Sequence, residues 1–139
     1  MAEVEIGIGK SGRRAYGFDD IAIVPSRRTR DPEDVDISWE IDAYRCDLPL
    51  MAAAMDGVVS PAMAIEVGRL GGVGVLNLEG LWTRYEDPEP LFEEIAKLDN
   101  DKATARMQQI YAEPIKPELV TQRIREIKDA GVTSAASAC

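Results

Sequence analysis

The chain has 139 residues, 45% hydrophobic and 29% charged, with Lys+Arg 16 against Asp+Glu 25 for a net charge of -9. That is a globular composition sufficient for one modest domain, and its negative balance opposes general binding to nucleic-acid phosphates. Histidine is absent, which excludes a Ser-His-Asp triad, a Cys-His dyad and a histidine-ligated metal within these residues.

The two cysteines, Cys46 and Cys139, lie far apart with no CxxC spacing. This argues against a disulfide framework or a structural zinc and fits a reducing compartment. The sequence shows no signal-peptide core and no long apolar run, so a soluble, cytoplasmic protein without a membrane partner is expected. Arg13-Arg14 and Arg27-Arg28-Thr29-Arg30 are the basic clusters. Solvated loop charge is favoured for both.

In chain order, Val4, Ile6 and Ile8 alternate with Glu5 and Gly7, which predicts a short strand. Gly7-Ile8-Gly9-Lys10-Ser11-Gly12 fits G-x-G-x-x-G, with Asp31 at about the spacing of a ribose-binding acid. A dinucleotide loop needs a helix from its third glycine, yet residues 13–18 include Gly17 and lack an apolar stripe. A P-loop would need glycine where Val4 stands. A glycine-rich, mobile N-terminal segment is therefore favoured.

Asp19-Asp20 is read as turn capping or ion pairing, since sequence neighbours on a strand point opposite ways. Ile21 to Val24, closed by Pro25, predicts a strand; Arg27 to Asp36 predicts a surface loop around Pro32; Ile37, Trp39 and Ile41 predict one face of another short strand.

The centre of the chain is Leu48-Pro49-Leu50-Met51-Ala52-Ala53-Ala54-Met55-Asp56, followed by Ser60-Pro61 and then Gly71-Gly72-Val73-Gly74-Val75-Leu76. The first apolar run predicts a strand buried on both faces. Ser60 and Pro61 suit an N-cap and first helical position. Met63, Val67 and Leu70 fall on one stripe, Gly71-Gly72 stops the helix, and Val73 to Leu76 predicts the next strand. Sites of such βαβ units lie at the carboxyl ends of the strands, here Met55-Asp56 and Asn77.

Trp82 and Tyr85 follow in a connection, with anchoring favoured over lining a ligand pocket. Three further helices are predicted. The first opens at Asp87-Pro88 with Leu91, Ile95 and Leu98 inward, the second runs from Lys102 to Tyr111, and the third, from Pro117 to Gly131, turns Val120, Ile124 and Ile127 inward. Val132 to Cys139 predicts a third strand. The fold class is α/β.

The blocks Tyr16-Gly17-Phe18-Asp19-Asp20-Ile21-Ala22-Ile23-Val24-Pro25, Val35-Asp36-Ile37-Ser38, Leu48 to Asp56 and Gly71 to Leu76 resemble, in order and spacing, the IMP dehydrogenase/GMP reductase family. Asn77 to Asp87 and Tyr111-Ala112-Glu113-Pro114-Ile115-Lys116-Pro117 look like the related bacterial proteins of actinobacterial type that lack CBS domains.

The resemblance implies a (β/α)8 barrel with its chemistry at the carboxyl ends of the strands. A full barrel takes ~250 residues, so this chain is expected to hold its N-terminal part, about three strands. Residues 1–47 would be an extension with short strands and 48–139 the first barrel units. By resemblance Ala53, Met55, Asp56 and Asn77 are substrate-side residues, with Met55 against the purine base. Many members carry serine where Ala53 stands, so a hydroxyl contact would be missing here. The family's reaction is thiolate attack on C2 of a purine nucleotide, hydride transfer to or from a nicotinamide cofactor, then hydrolysis (dehydrogenase) or deamination (reductase). Its cysteine loop and phosphate loops lie further along, so neither Cys46 nor Cys139 is that nucleophile.

The expectation is thus the first portion of an oxidoreductase turning IMP into XMP with NAD, inactive alone. GMP reductase chemistry in the whole protein is the alternative. A monovalent cation and a homo-oligomer, typically a tetramer, are also implied. A non-catalytic assembly module made of a partial barrel is the other hypothesis.

Overall fold

The computed structural model describes residues 3–25 and 30–138. The chain divides into two compact units, Met1–Val35 and Asp36–Cys139.

In the first unit, β1 (Glu3–Gly7) pairs antiparallel with β2 (Lys10–Arg13), bringing Glu3 opposite Arg13 and Gly7 opposite Lys10. Gly9 turns the chain at φ 69, a left-handed conformation that glycine adopts without cost. The Gly7–Gly12 motif is therefore a hairpin, neither a phosphate loop nor an irregular segment. Phe18–Asp20 forms a 3-10 turn in which the Gly17 N–H donates to Asp20 Oδ2 at 3.0 Å, so the acidic pair does supply a cap. Ile21 to Val24 is not a strand, contrary to its pattern. Among the described residues no strand pairs with it, and Ile23 stands 99% exposed. Arg13, Arg14 and Arg30 are exposed, while Arg27 and Arg28 lie outside the described residues.

In the second unit, β3 (Trp39–Ile41) and β4 (Tyr44–Cys46) form a hairpin turned by Asp42 at φ 50. The Trp39 indole N–H donates to the Leu48 carbonyl at 2.9 Å and ties the hairpin to the start of the sheet. Residues 36–47 thus belong to the same unit as the sheet.

The sheet has three parallel strands in the order β5 (Met51–Ala52), β6 (Val73–Asn77), β7 (Ala135–Ser137). Helix α1 (Pro61–Arg69) links β5 to β6, and α2 (Glu89–Ala96), α3 (Asn100–Ile110) and α4 (Pro117–Asp129) lie between β6 and β7. Ser60 caps α1, its Oγ accepting from the Met63 N–H at 3.0 Å, with Pro61 at the first position. Gly71 ends that turn at φ 89. The third strand is shorter than the Val132–Cys139 pattern, and Cys139 lies outside the described residues.

Three expectations about burial need correcting. The Leu48–Met55 run pairs only over Met51 and Ala52, and Leu50, Met51 and Met55 are 46%, 52% and 53% exposed. Ala52 packs against the core, but no described element covers the face that carries Met51, so apolarity did not bring burial. The inward stripe of α1 is Pro61, Ala64 and Val67, whereas Met63 and Leu70 are exposed. On α4 the deepest residues are Leu119, Arg123 and Ile127, with Val120 and Ile124 half-buried.

The core is Val59, Ala64, Leu76 and Ile127, packed against by Ala52, Ile65, Leu78, Trp82 and Val132. It joins α1, β6 and α4 on one side of the sheet. Leu76 and Ile127 are wholly removed from water, each burial stabilising by about 1.5–3 kcal/mol.

Candidate functional site

Two parallel strands that run side by side deliver their carboxyl ends to one edge of the sheet. Ala53 to Asp56 leaves β5 there, and Asn77 is the last residue of β6. Ala53 and Met55 are exposed, Asn77 half-buried. The turn after β5 is closed by its own backbone: the Met55 N–H donates to the Ala53 carbonyl at 2.8 Å, and the Met55 carbonyl accepts from Val58 and Val59, each at 2.9 Å. Met55 is not core packing in this chain. Asn77 Oδ1 accepts from the Glu79 N–H at 3.0 Å and shapes the next turn.

Asp56 plays a different part. Its Oδ2 accepts from the Leu81 backbone N–H and from the Tyr111 hydroxyl, both at 2.6 Å. Hydrogen bonds to a carboxylate contribute about 1.5–3 kcal/mol each. A Cβ on Gly80 would overlap this carboxylate, so only glycine lets the chain pass at that point. Burial first, then the Asp56 carboxylate that accepts its proton, push the Tyr111 phenol well above its ordinary value of 10.0, against an opposing pull from Arg84. The Arg84 guanidinium sits 5.7 Å over the Tyr111 ring and donates to the Glu79 and Glu113 carbonyls. One carboxylate therefore joins the turn after β5, the turn after β6 and the end of α3.

The connection after β6 is anchored rather than open. Trp82 lies 6.2 Å from Phe92 and under the Arg123 guanidinium at 5.5 Å, and the Tyr85 hydroxyl donates to the Ile110 carbonyl at 2.9 Å. Arg123, 8% exposed, donates to the carbonyls of Trp82 and Glu86 at 3.2 and 2.5 Å. Between α2 and α3, Arg106 grips Glu94 through two hydrogen bonds, of 2.6 and 3.0 Å. Cys46 is buried on β4 and belongs with Gly71 and Gly72, at the end of the sheet opposite Met55 and Asn77.

A family model described as "IMP dehydrogenase / GMP reductase domain" matches residues 15–132. The chain belongs to that family. An uncharacterized oxidoreductase of Mycolicibacterium smegmatis is 47% identical over 137 residues, which are 95% of this chain and 36% of the relative. A Mycobacterium tuberculosis protein, also named an uncharacterized oxidoreductase, is 46% identical over the same shares. The inosine-5'-monophosphate dehydrogenase of Methanocaldococcus jannaschii is 40% identical over 65 residues, covering 47% of this chain and 13% of that enzyme. The crystal structure of an IMP dehydrogenase/GMP reductase-like protein from Corynebacterium glutamicum superposes with a TM-score of 0.78 at 43% identity, over 96% of this chain and 37% of that one.

The chain spans about a third of the length of these actinobacterial relatives. The α/β sheet is accordingly the N-terminal part of a TIM barrel, and the family membership is that of an oxidoreductase. Among the described residues no helix is long and apolar enough to cross a membrane.

Sequence reasoning singled out Ala53, Met55, Asp56 and Asn77, and the structure gathers the strand ends that carry them. It missed Gly80, Tyr111 and Arg123. Arg123 left a trace, standing four residues from both Leu119 and Ile127 on the buried stripe of α4. Tyr111 left none.

Proposed function

We propose that these residues form the first wall of a purine-nucleotide site in an oxidoreductase that turns IMP into XMP with NAD. The observation that supports this most is Met55, an unbranched apolar side chain 53% exposed at a strand's carboxyl end in a chain of this family. A flat purine is well matched by such a flexible, polarizable side chain. Ala53 offers the same edge no hydroxyl, so its backbone and Asn77 would carry the polar contacts.

The described residues show no fit to the nicotinamide cofactor. The one glycine motif that invites a pyrophosphate is the β1–β2 hairpin, which opens no helix. The cofactor, a monovalent cation and homotetramer contacts belong in this reading to the complete enzyme, as does the nucleophile.

The test is turnover by the complete protein that carries these residues, supplied either with IMP and NAD or with GMP and NADPH. IMP-dependent reduction of NAD is the expected result; oxidation of NADPH with GMP instead would make it a reductase. Replacing Met55→Ala should weaken nucleotide binding roughly tenfold while shifting stability by no more than about 0.5 kcal/mol, as for exposed positions generally. Unchanged nucleotide affinity in that variant would remove Met55 from the site.

A further inference from the structure

The Asp56 carboxylate is spoken for. Oδ2 is shared between Leu81 N–H and the Tyr111 hydroxyl, each at 2.6 Å, so this oxygen is bonded into the protein. The other oxygen, Oδ1, is buried without a partner among the described residues, packed where Gly80 has no side chain. Asp56 nevertheless follows Met55 directly, inside the turn that the Met55 carbonyl closes onto Val58 and Val59. Whatever fixes Asp56 fixes the direction in which Met55 is presented.

Among the described residues, Tyr111 is the one side chain that bonds to Asp56, from 55 positions away in sequence. It follows α3 directly, and the Tyr85 hydroxyl on the Ile110 carbonyl and the Arg84 guanidinium on the Glu113 carbonyl hold that end of the helix in place. The phenol is thus an anchored post, and its bond to Asp56 carries that anchorage to the turn after β5.

We propose that Tyr111 is a positioning residue for the nucleotide site, acting through Asp56 to hold the Ala53–Met55 turn in its ligand-facing pose. This rests on the purine-nucleotide reading of Met55. Asp56, assigned by resemblance to the substrate side, becomes the link in this arrangement and makes no contact with the nucleotide. The hydroxyl is the working atom. Tyr111→Phe keeps the ring beneath Arg84 and removes only the bond.

The experiment uses the complete protein that carries these residues, comparing wild type, Tyr111→Phe, Asp56→Asn and Asp56→Ala. Two readouts are taken: amide hydrogen exchange at Met55, Val58 and Val59 without ligand, and affinity and steady-state constants for IMP and for GMP. Tyr111→Phe should exchange those amides faster. It should also raise the nucleotide Kd and KM roughly tenfold, which is about 1.4 kcal/mol, with kcat little changed. Asp56→Asn, whose amide oxygen can still accept from both donors, should retain most of the affinity that Asp56→Ala loses.

Unchanged exchange in Tyr111→Phe overturns the proposal whether or not a nucleotide binds. Faster exchange with unaltered affinity overturns the link from turn to site, as does a fall in kcat at constant KM. If the wild type binds neither nucleotide, the purine-nucleotide reading fails, and the proposal falls with it for that separate reason.

Discussion

The two compact units of this chain use large apolar residues in opposite ways. In residues 3–35, Ile6, Ile8, Phe18 and Ile23 are 70%, 102%, 95% and 99% exposed, and no described residue is buried. In the second unit, Val59, Ala64, Leu76 and Ile127 are sealed from water between helices and sheet. Both units show the alternation or stripes expected of packed elements. What differs is the presence of a second layer. A two-stranded hairpin followed by two single 3-10 turns cannot enclose a core, whereas a parallel sheet with helices laid on one side can. Periodicity therefore reports local geometry, and burial depends on what the rest of the chain brings to the other face.

Paired truncations test this comparison with the largest expected effect. Leu76→Ala should cost about 2–5 kcal/mol in denaturant unfolding, because it opens a cavity in a core that has few residues to relax around it. Ile23→Ala should cost no more than about 0.5 kcal/mol. Comparable losses at the two positions would show that residues 3–35 are covered in solution.

A smaller effect concerns pH. The folded second unit holds the Tyr111 proton more tightly than an unfolded chain does. Its contribution to stability is accordingly complete below pH about 10 and declines as the pH rises above it, while the unfolded phenol ionises and the folded one does not. Unfolding midpoints measured between about pH 9 and about pH 11 should fall less steeply in Tyr111→Phe than in wild type. Tyr16→Phe, a phenol of the uncovered first unit, is the control.

What was legible in the sequence was local or periodic. Ser60-Pro61 and Gly71 bracket α1 because capping is decided within a few residues, and Val73 to Leu76 reads as a strand that is indeed interior. The alternation at Val4 and Ile6 marked β1, but its partner β2 escaped notice because Lys10-Ser11-Gly12-Arg13 carries no apolar alternation, and the pairing comes from the turn at Gly9. Leu48 to Met55 misled for the converse reason: an apolar run covered by packing on one face alone keeps the other face wet. At the site, position was legible and role was not. Met55, Asp56 and Asn77 fall at strand ends by simple counting, yet the bond that occupies Asp56 comes from Tyr111, and no local pattern connects residues so far apart. Arg123 drew no reading at all, though three backbone and side-chain acceptors, the carbonyls of Trp82 and Glu86 and the Glu126 carboxylate, satisfy it at the end of the core.

The central claim is that the strand-end turn bearing Met55 faces a purine nucleotide while neighbouring apolar surface does not. Methyl spectra of methionine-labelled complete protein, titrated with IMP, address it directly. Met55, Met63 and Met107 are all exposed, at 53%, 44% and 37%, but only Met55 lies at a strand's carboxyl end, Met63 and Met107 being on α1 and α3. The Met55 methyl should shift on saturation with Met63 and Met107 unmoved. A Met55 signal that stays in place while IMP binds would contradict the account.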